Sequence, residues 1–185
     1  MSALTKTQSL ALRKAAWRLP EGDSAILETA RDVSALLKKA RVRSAVVGGV
    51  AVGLHGHLRS TLDVDVFVPA PLDRARDVLL AADYEFDPVR REFRRDVVPV
   101  QFVTEEQLGR APAKLVEIEA VITVSLADLI NMKLRSGLAS ILRAQDLADV
   151  IALMRLHNLS PTFAAKLDRP HRPEFRKLLR AIRAS

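Results

Sequence analysis

The chain has 185 residues, of which 49% are hydrophobic, and it contains no cysteine. This length and apolar content suffice to bury one hydrophobic core, so we expect a single domain over residues 1–185. The lack of cysteine excludes disulfide bonds, thiolate zinc sites and cysteine nucleophiles. We find no signal-peptide core and no run near the roughly 18 apolar residues of a membrane helix, so we expect a soluble, cytoplasmic protein.

The net charge of +7 is concentrated at the two ends of the chain. Residues 1–43 carry nine basic and four acidic side chains, and residues 166–185 carry seven and two, whereas the segment between them is slightly acidic. Because lysine and arginine attract phosphates regardless of base sequence, these ends suit an RNA or tRNA partner. Solvated helix faces explain the same pattern equally well.

The first predicted elements are a helix, a short strand and a second helix. Ser24 is a candidate cap for a helix whose apolar residues recur at helical spacing to Ala40. The β-branched run 44–47 predicts a strand that leads into a glycine pair. The segment after the glycines predicts a brief helix that ends at Gly56.

The middle of the chain continues this alternation. Residues 62–68 alternate like a strand, and residues 71–82 have the proline and early acid of a helix start. Further strands are predicted within 84–103 and over 115–122, and Pro99 favours an edge position or a bulge.

The pattern becomes helical after residue 122. Ser125 begins a capped helix that is predicted to end at Gly137, and a second amphipathic helix follows it. Two short basic helices, broken around prolines, end the chain. We therefore expect an α/β (α+β) fold, with a small mixed sheet flanked by helices in residues 20–122 and a helical extension in residues 123–185.

Two aspartates on the strand at 62–68 form the first candidate site. Asp63 and Asp65 are two residues apart, so a strand would place their side chains on one face, about 7 Å apart. Two like charges in a partly apolar setting are costly unless a cation neutralises them, and oxygen ligands favour Mg²⁺ or Mn²⁺. Solvent, or salt bridges to Arg59 or Arg90, would also explain the pair.

Gly48 and Gly49 form the second candidate site. A glycine turn before a helix lets backbone amides approach an anion closely, which makes it a candidate phosphate cradle. The simpler alternative is a tight turn that needs positive φ. A metal site and a phosphate site at one edge of a small sheet together indicate phosphoryl or nucleotidyl transfer.

The glycine pair, a gap of thirteen residues and then Asp63-Val-Asp65 resemble the signature of the nucleotidyltransferase superfamily, the DNA polymerase beta-like fold. The string GGVAVGLHGHLRSTLDVDVFV is most similar to small bacterial members, including AbiEii-type toxins and aminoglycoside adenylyltransferases. The resemblance covers residues 44–154. Its downstream part includes Lys133, Arg143, Asp146 and Asp149.

This resemblance implies a nucleotidyltransferase fold in which Asp63 and Asp65 hold the divalent metal and Gly48 and Gly49 contact the triphosphate. It implies transfer of a nucleoside monophosphate from an NTP to an acceptor hydroxyl. The expected acceptor is RNA or tRNA, with a role as a toxin component that has an antitoxin partner. An aminoglycoside is the alternative acceptor.

Two cations near these motifs are candidate nucleotide-binding residues. Arg59 lies between the glycines and the aspartates, and Lys133 lies in the apolar segment LINMKL. Lys133 can instead form a structural bridge to Asp146 or Asp149. We expect these two aspartates mainly to support their own helix, with Arg143 as the i, i+3 partner of Asp146.

One position departs from the family pattern. The family usually has a third carboxylate on the next central strand, and the predicted register puts Gln101 there. Glutamine forms hydrogen bonds but cannot act as a base. The site then uses one metal, or a substitute acid such as Asp96 or Glu117, or it binds nucleotide without turning it over.

The two arginine-rich segments of the second half differ in charge balance. In DPVRREFRRD and its flanks, four acids balance the arginines, so we expect poor nucleic-acid binding there. The cations of RPHRPEFRKLLRAIRAS are scarcely balanced, so this end is the better candidate for phosphate contact.

Overall fold

The computed structural model describes residues 21–184, with side chains from residue 25 onward. The amino-terminal cations up to residue 20, which contribute to the predicted RNA-binding end, lie outside the described residues. The α-helices are α1 (Glu21–Lys39), α2 (Gly48–Leu54), α3 (Asp73–Leu80), α4 (Glu105–Leu108), α5 (Leu126–Ala139), α6 (Ala144–Leu156) and α7 (Arg172–Ala184). Short 3₁₀ turns cover Ile141–Arg143, Pro161–Lys166 and Arg169–His171.

Seven strands form one mixed sheet, which confirms the predicted fold class. The strands are β1 (Ala45–Val46), β2 (Val64–Phe67), β3 (Glu85–Asp87), β4 (Glu92–Arg94), β5 (Val100–Val103), β6 (Leu115–Ile118) and β7 (Val121–Val124). Their order across the sheet is β3-β4-β5-β2-β1-β7-β6. The pairs β2/β5 and β1/β7 are parallel and the other neighbours are antiparallel. Strand β2 therefore lies in the middle of the sheet.

Helices cover both faces of the sheet, because the buried strands present apolar side chains on each side. Helices α1 and α3 pack on one face, where Val33 and Leu79 join the core. Helices α5, α6 and α7 pack on the other face, where Leu129, Leu153 and Phe175 are buried. Burial of each such side chain contributes about 1.5–3 kcal/mol. The helices of the carboxyl-terminal part thus form one layer of the fold.

Two helix and strand boundaries differ from the predictions. The structure gives α1 from Glu21, so Ser24 lies inside the helix and is not its cap. Acidic residues are favourable in a first helical turn, which explains the earlier start. Pro99 precedes β5, an interior strand, and its carbonyl oxygen accepts a hydrogen bond from the amide of Val64. Because the strand begins after the proline, the missing amide hydrogen is not needed.

Two further predictions fail for local reasons. The single strand predicted at 115–122 is a hairpin of β6 and β7, whose turn residues Glu119 and Ala120 have φ of 52° and 64°. Neither residue type is typical of such a turn. Gly137 does not end α5, which continues to Ala139. A Cβ at Gly137 would lie 2.7 Å from Leu147, so this glycine permits close packing of α5 against α6.

The prediction of two short basic helices broken around Pro170 and Pro173 is wrong at Pro173. Pro170 lies in a 3₁₀ turn, whereas Pro173 is the second residue of α7, a helix of 13 residues. Proline is tolerated in the first turn of a helix because the amide there has no partner within the helix. Among residues 21–184, no helix is long and apolar enough to cross a membrane.

Candidate active site

Asp65 lies on the central strand and faces the helical layer of α5, α6 and α7. Its strand neighbours Val64 and Val66 pack on the α1 side, whereas Phe67, two residues on, packs with the opposite cluster. Asp65 shares the face of Phe67 because side chains alternate along a strand. The amide of Val47 donates a hydrogen bond to the Asp65 carbonyl oxygen over 2.8 Å, which fixes the end of β1 beside it.

Asp63 lies in the bend before β2, because the strand begins at Val64. The expectation that both aspartates lie within the strand is therefore wrong for Asp63. Its Oδ1 accepts a hydrogen bond of 3.3 Å from the hydroxyl of Thr61. The charge of Asp63 also raises the pKa of Asp65, so the two carboxylates share one local site.

Gly48 and Gly49 leave the space that the site occupies. Gly48 has φ of +64°, and a Cβ built on it would overlap Oδ2 of Asp65. A Cβ on Gly49 would overlap the hydroxyl of Thr61 and would lie 3.3 Å from Nη2 of Arg59. The glycine pair thus forms a cradle without side chains, and the Asp65 carboxylate and the Arg59 guanidinium lie at its margin.

The ionised form of Asp65 is disfavoured in this cradle. Burial, together with the charges of Asp63 and Asp146, raises the pKa of Asp65 to about 6, against the lowering effect of Lys133 and Arg143. An ionised carboxylate that is buried beside another one is stabilised by a nearby cation. The donor chemistry of the pair therefore fits a divalent ion.

Lys133 is the centre of an ion-pair network on the helical side. Its Nζ lies 2.6 Å from Oδ1 of Asp146 and 2.9 Å from Oδ2 of Asp149. The Nε of Arg59 donates to Oδ1 of Asp149 over 2.9 Å. The expectation that Arg143 is the partner of Asp146 is wrong, because the buried ammonium of the neighbouring helix takes that place.

This network keeps the buried Asp149 ionised. Burial alone would raise the pKa of this carboxyl, yet Lys133, Gln145 and Arg59 together hold it below its usual value. The Asp149 side chain is 0% exposed and that of Lys133 is 8% exposed, so water cannot replace either partner. The network connects α5 and α6 to the loop that carries Arg59.

Gln101 lies in register with Asp65 on the neighbouring parallel strand, as the sequence predicts. Glu92 continues the same row on β4 and is 5% exposed, with its Oε1 2.8 Å from Nε of Arg94. The suggested substitute acids lie elsewhere. Glu117 is on the edge strand β6, paired with Lys38 over 2.8 Å, and the side chain of Asp96 is 79% exposed.

Sequence reasoning missed Thr61, Gln145 and Glu92 as neighbours of the site. Thr61 and Gln145 bind site carboxylates through hydrogen bonds. Strand β4 contains only Glu92, Phe93 and Arg94, so no sequence pattern marked Glu92. Its place in the row depends on the pairing of β4 with β5, which the sequence does not specify.

Within the part of the chain that the structure describes, no group of three His, Cys, Asp or Glu side chains forms a metal cluster. The metal-ligating set at the cradle is thus two carboxylates. Mg²⁺ is commonly held by one or two carboxylates together with substrate phosphates and water. The carboxylates of Asp63 and Asp65 have the donor chemistry for an ion of that kind.

Comparison with known proteins agrees with this geometry. The family model described as nucleotidyltransferase of unknown function (DUF6036) matches residues 24–167, which is most of the chain. The chain belongs to this family. The match includes every candidate residue of the cradle and of the Lys133 network. A search of curated proteins found no match.

Two solved structures share the nucleotidyltransferase fold. An antigenic nucleotidyltransferase-like protein from Paracoccidioides brasiliensis is 17% identical with a TM-score of 0.52, covering 83% of this chain and 91% of its own. ANT(2")-Ia, solved in complex with adenylyl-2"-tobramycin, is 12% identical with a TM-score of 0.54, covering 78% and 93%. The TM-scores show that the fold is shared. At identities this low, the substrate of a neighbour does not identify the substrate of this protein.

Proposed function

We propose that the chain is a metal-dependent nucleotidyltransferase that moves a nucleoside monophosphate from an NTP to an acceptor hydroxyl. One observation carries this proposal: the Asp65 carboxylate lies against Gly48, where a side chain would overlap it, with Asp63 beside it. Carboxylates next to a glycine cradle provide for the metal and the phosphates that this transfer needs.

In this proposal Asp63 and Asp65 hold Mg²⁺ or Mn²⁺, and the backbone at Gly48 and Gly49 contacts the triphosphate. A bound divalent ion would neutralise phosphate charge and stabilise the attacking and leaving oxygens. Arg59 would contact phosphate oxygens, because its Nη2 lies at the edge of the cradle.

Lys133 has the charge but not the freedom of a mobile phosphate ligand, because two buried aspartates hold its Nζ. Its charge nevertheless lowers the pKa of Asp65, so it belongs to the same electrostatic site. We assign to Lys133 the binding of the nucleotide through its fixed positive charge.

The transfer of the nucleoside monophosphate needs no reactant other than the NTP and the acceptor. The acceptor oxygen bonds to the α-phosphorus, and the bond from that phosphorus to the bridging oxygen breaks. Pyrophosphate leaves with the electron pair, and the acceptor proton passes to water. Gln101 takes no part in the proton transfer, because an amide is not a base at neutral pH.

For the acceptor we propose RNA, with tRNA as the first candidate, and a role as a toxin component with an antitoxin partner. The sequence similarity to AbiEii-type toxins and the net charge of +7 support this choice. An aminoglycoside is the alternative, since the fold neighbour ANT(2")-Ia was solved with adenylyl-2"-tobramycin. A small cationic acceptor, however, gains nothing from a basic protein.

A second candidate function is a silent relative that binds nucleotide or RNA without transfer. The register of Gln101 with Asp65 favours it, because the position next to the metal pair then carries no acid. The two functions make different predictions for the same incubation.

The test is incubation of the full chain with each labelled NTP and Mg²⁺ or Mn²⁺, with total tRNA or tobramycin as acceptor. We expect label on tRNA that disappears in Asp63→Ala. Asp77→Ala is the matched control, because Asp77 is an exposed aspartate on α3. It should transfer label at the wild-type rate.

Other outcomes identify the alternatives. Label on tobramycin and not on tRNA would identify an aminoglycoside, and not RNA, as the acceptor. NTP binding without any transfer would support the silent relative, and equal label in wild type and Asp63→Ala would refute the site. Growth arrest on expression that Asp63→Ala relieves would support the toxin role.

A further inference from the structure

A groove of about 710 Å³ lies between the start of α3, the tip of the β3–β4 hairpin and α4. Its volume is within the range of about 300–1,000 Å³ that is usual for ligand sites. Arg76, Arg90 and Arg91 line it, together with the rings of Phe86 and Phe102. It therefore combines positive charge with aromatic surface.

The three arginines are largely free to meet an anion. All three are exposed, and among the described residues neither Arg76 nor Arg91 forms an ion pair. The Nη1 of Arg90 forms a long ion pair of 3.8 Å with Oε1 of Glu92. The guanidinium of Arg76 lies 4.9 Å above the centre of the Phe86 ring, so it presents a flat cationic surface.

Two of the acids that balance this hairpin in sequence form hydrogen bonds within it. Asp87 accepts hydrogen bonds from the amides of Val89 and Arg90 within the hairpin turn. The buried carboxylate of Glu92 accepts from Arg94 over 2.8 Å. Both carboxylates keep their negative charge, so the hairpin stays balanced overall, whereas three guanidinium groups line the groove.

Two carboxylates, of Asp73 and Glu106, also line the groove, against three guanidinium groups. Carboxylates accept hydrogen bonds from ribose hydroxyls, as they do in dinucleotide-binding sites. A strand of RNA has phosphates for the arginines, hydroxyls for the carboxylates and flat bases for the aromatic rings. A simple anion has only the negative charge.

We propose that this groove binds single-stranded RNA, with phosphates against Arg76, Arg90 and Arg91 and a base on the Arg76–Phe86 stack. Unpaired RNA bases stack on aromatic rings and on guanidinium planes, and arginines supply the contacts to the backbone. This places RNA contact on the hairpin, which the sequence disfavours, and not on the basic helix α7.

The groove and the cradle lie on opposite faces of the sheet, because Phe86 and Phe102 pack with the cluster under α1 and α3 whereas Asp65 faces α5, α6 and α7. Gln101 lines the groove and lies in register with Asp65 on the adjacent strand. A strand bound in the groove would have to extend around the sheet to bring its end to the cradle. Its use as the acceptor strand rests on the proposed function. Binding of RNA in the groove does not.

The test measures fluorescence anisotropy of a labelled ten-nucleotide single-stranded RNA of mixed sequence with the full chain, without NTP or metal. The groove variant carries Arg76→Ala, Arg90→Ala and Arg91→Ala. We expect it to bind at least about tenfold more weakly at 50 mM KCl. We also expect the log–log slope of its salt dependence to fall by about 2, because each arginine that neutralises a phosphate of a single strand adds about 0.7 to that slope.

The matched control removes the same charge from the exposed face of α7, with Arg176→Ala, Arg180→Ala and Arg183→Ala. It should stay within about threefold of the wild type, because a reduction of general positive charge has a smaller effect than removal of side chains that touch phosphates directly. Thermal melting of both variants within a few degrees of wild type shows that their folds are intact.

Three results would overturn the proposal: equal weakening in both variants, weakening in the α7 variant alone, or a wild type that does not bind this RNA at 50 mM KCl. The assay is independent of catalysis. If Asp63→Ala and wild type both bind RNA but no label is ever transferred, the transferase proposal is wrong and the proposal of RNA binding in the groove is unaffected. If label reaches another acceptor while RNA does not bind, the proposal of RNA binding in the groove is wrong and the transferase proposal stands.

Discussion

Asp65→Asn should make the protein more stable at neutral pH while it abolishes metal-dependent transfer. In the folded chain, burial and then the charge of Asp63 raise the pKa of Asp65 from 3.8 to about 6. The folded state therefore binds this proton more tightly than the unfolded state. Between pH 4 and pH 6 the stability that Asp65 provides falls as pH rises, and above pH 6 the whole cost is present.

The size of the effect follows from the shift. A difference of about two pKa units corresponds to about 3 kcal/mol, because each unit is worth about 1.4 kcal/mol. Asparagine is similar in shape and cannot ionise, so it removes most of this cost. For a domain of this size, about 3 kcal/mol should raise the melting temperature by about 6–12 °C.

The measurement is thermal unfolding of metal-free wild type and Asp65→Asn at pH 7.5 and at pH 4.0. The gain should be large at pH 7.5 and nearly absent at pH 4.0, where the wild-type carboxyl is already protonated. Asp77→Asn, at an exposed site on α3, should change the melting temperature little at either pH. A gain of equal size at both pH values, or no gain at pH 7.5, would refute an electrostatic cost at Asp65.

Three further predictions concern the same site. Lys133→Met should lower the free energy of unfolding by about 3–5 kcal/mol in urea titrations, because Asp149 stays buried without its ammonium partner; a loss below 1 kcal/mol would contradict this. Mn²⁺ affinity, measured by calorimetry, should fall roughly tenfold per pH unit below 6, as protons compete for Asp65, and a flat profile would argue against it as a ligand. Gln101→Glu should increase transfer or the number of bound Mn²⁺ ions, and no change in either would show that this row does not complete the site.

The parts of the fold that depend on local pattern were predictable from sequence. Alternation around Val64 and Val66 identified the central strand, and the spacing of the glycines and aspartates identified the cradle. The place of Gln101 beside Asp65 followed from the resemblance to the superfamily, which usually has a third carboxylate at that point of the next central strand.

Other features depend on contacts that no local pattern specifies. Lys133 meets Asp146 and Asp149 only because α5 and α6 pack side by side, which the close approach at Gly137 permits. The turn at Glu119 carries no glycine or asparagine, so its hairpin looked like one strand. The groove at the β3–β4 hairpin was not predicted, because a count of residues does not show which side chains line a groove.

The ion pairs around Asp149 also bear on how the chain can be divided. A fragment that ends at Val124 would retain both aspartates and both glycines, the part by which the superfamily is recognised. It would nonetheless lack the ammonium group whose charge lowers the pKa of Asp65 and the carboxylate that anchors Arg59. The signature segment is thus electrically incomplete by itself, and the helices that follow it supply the missing charges.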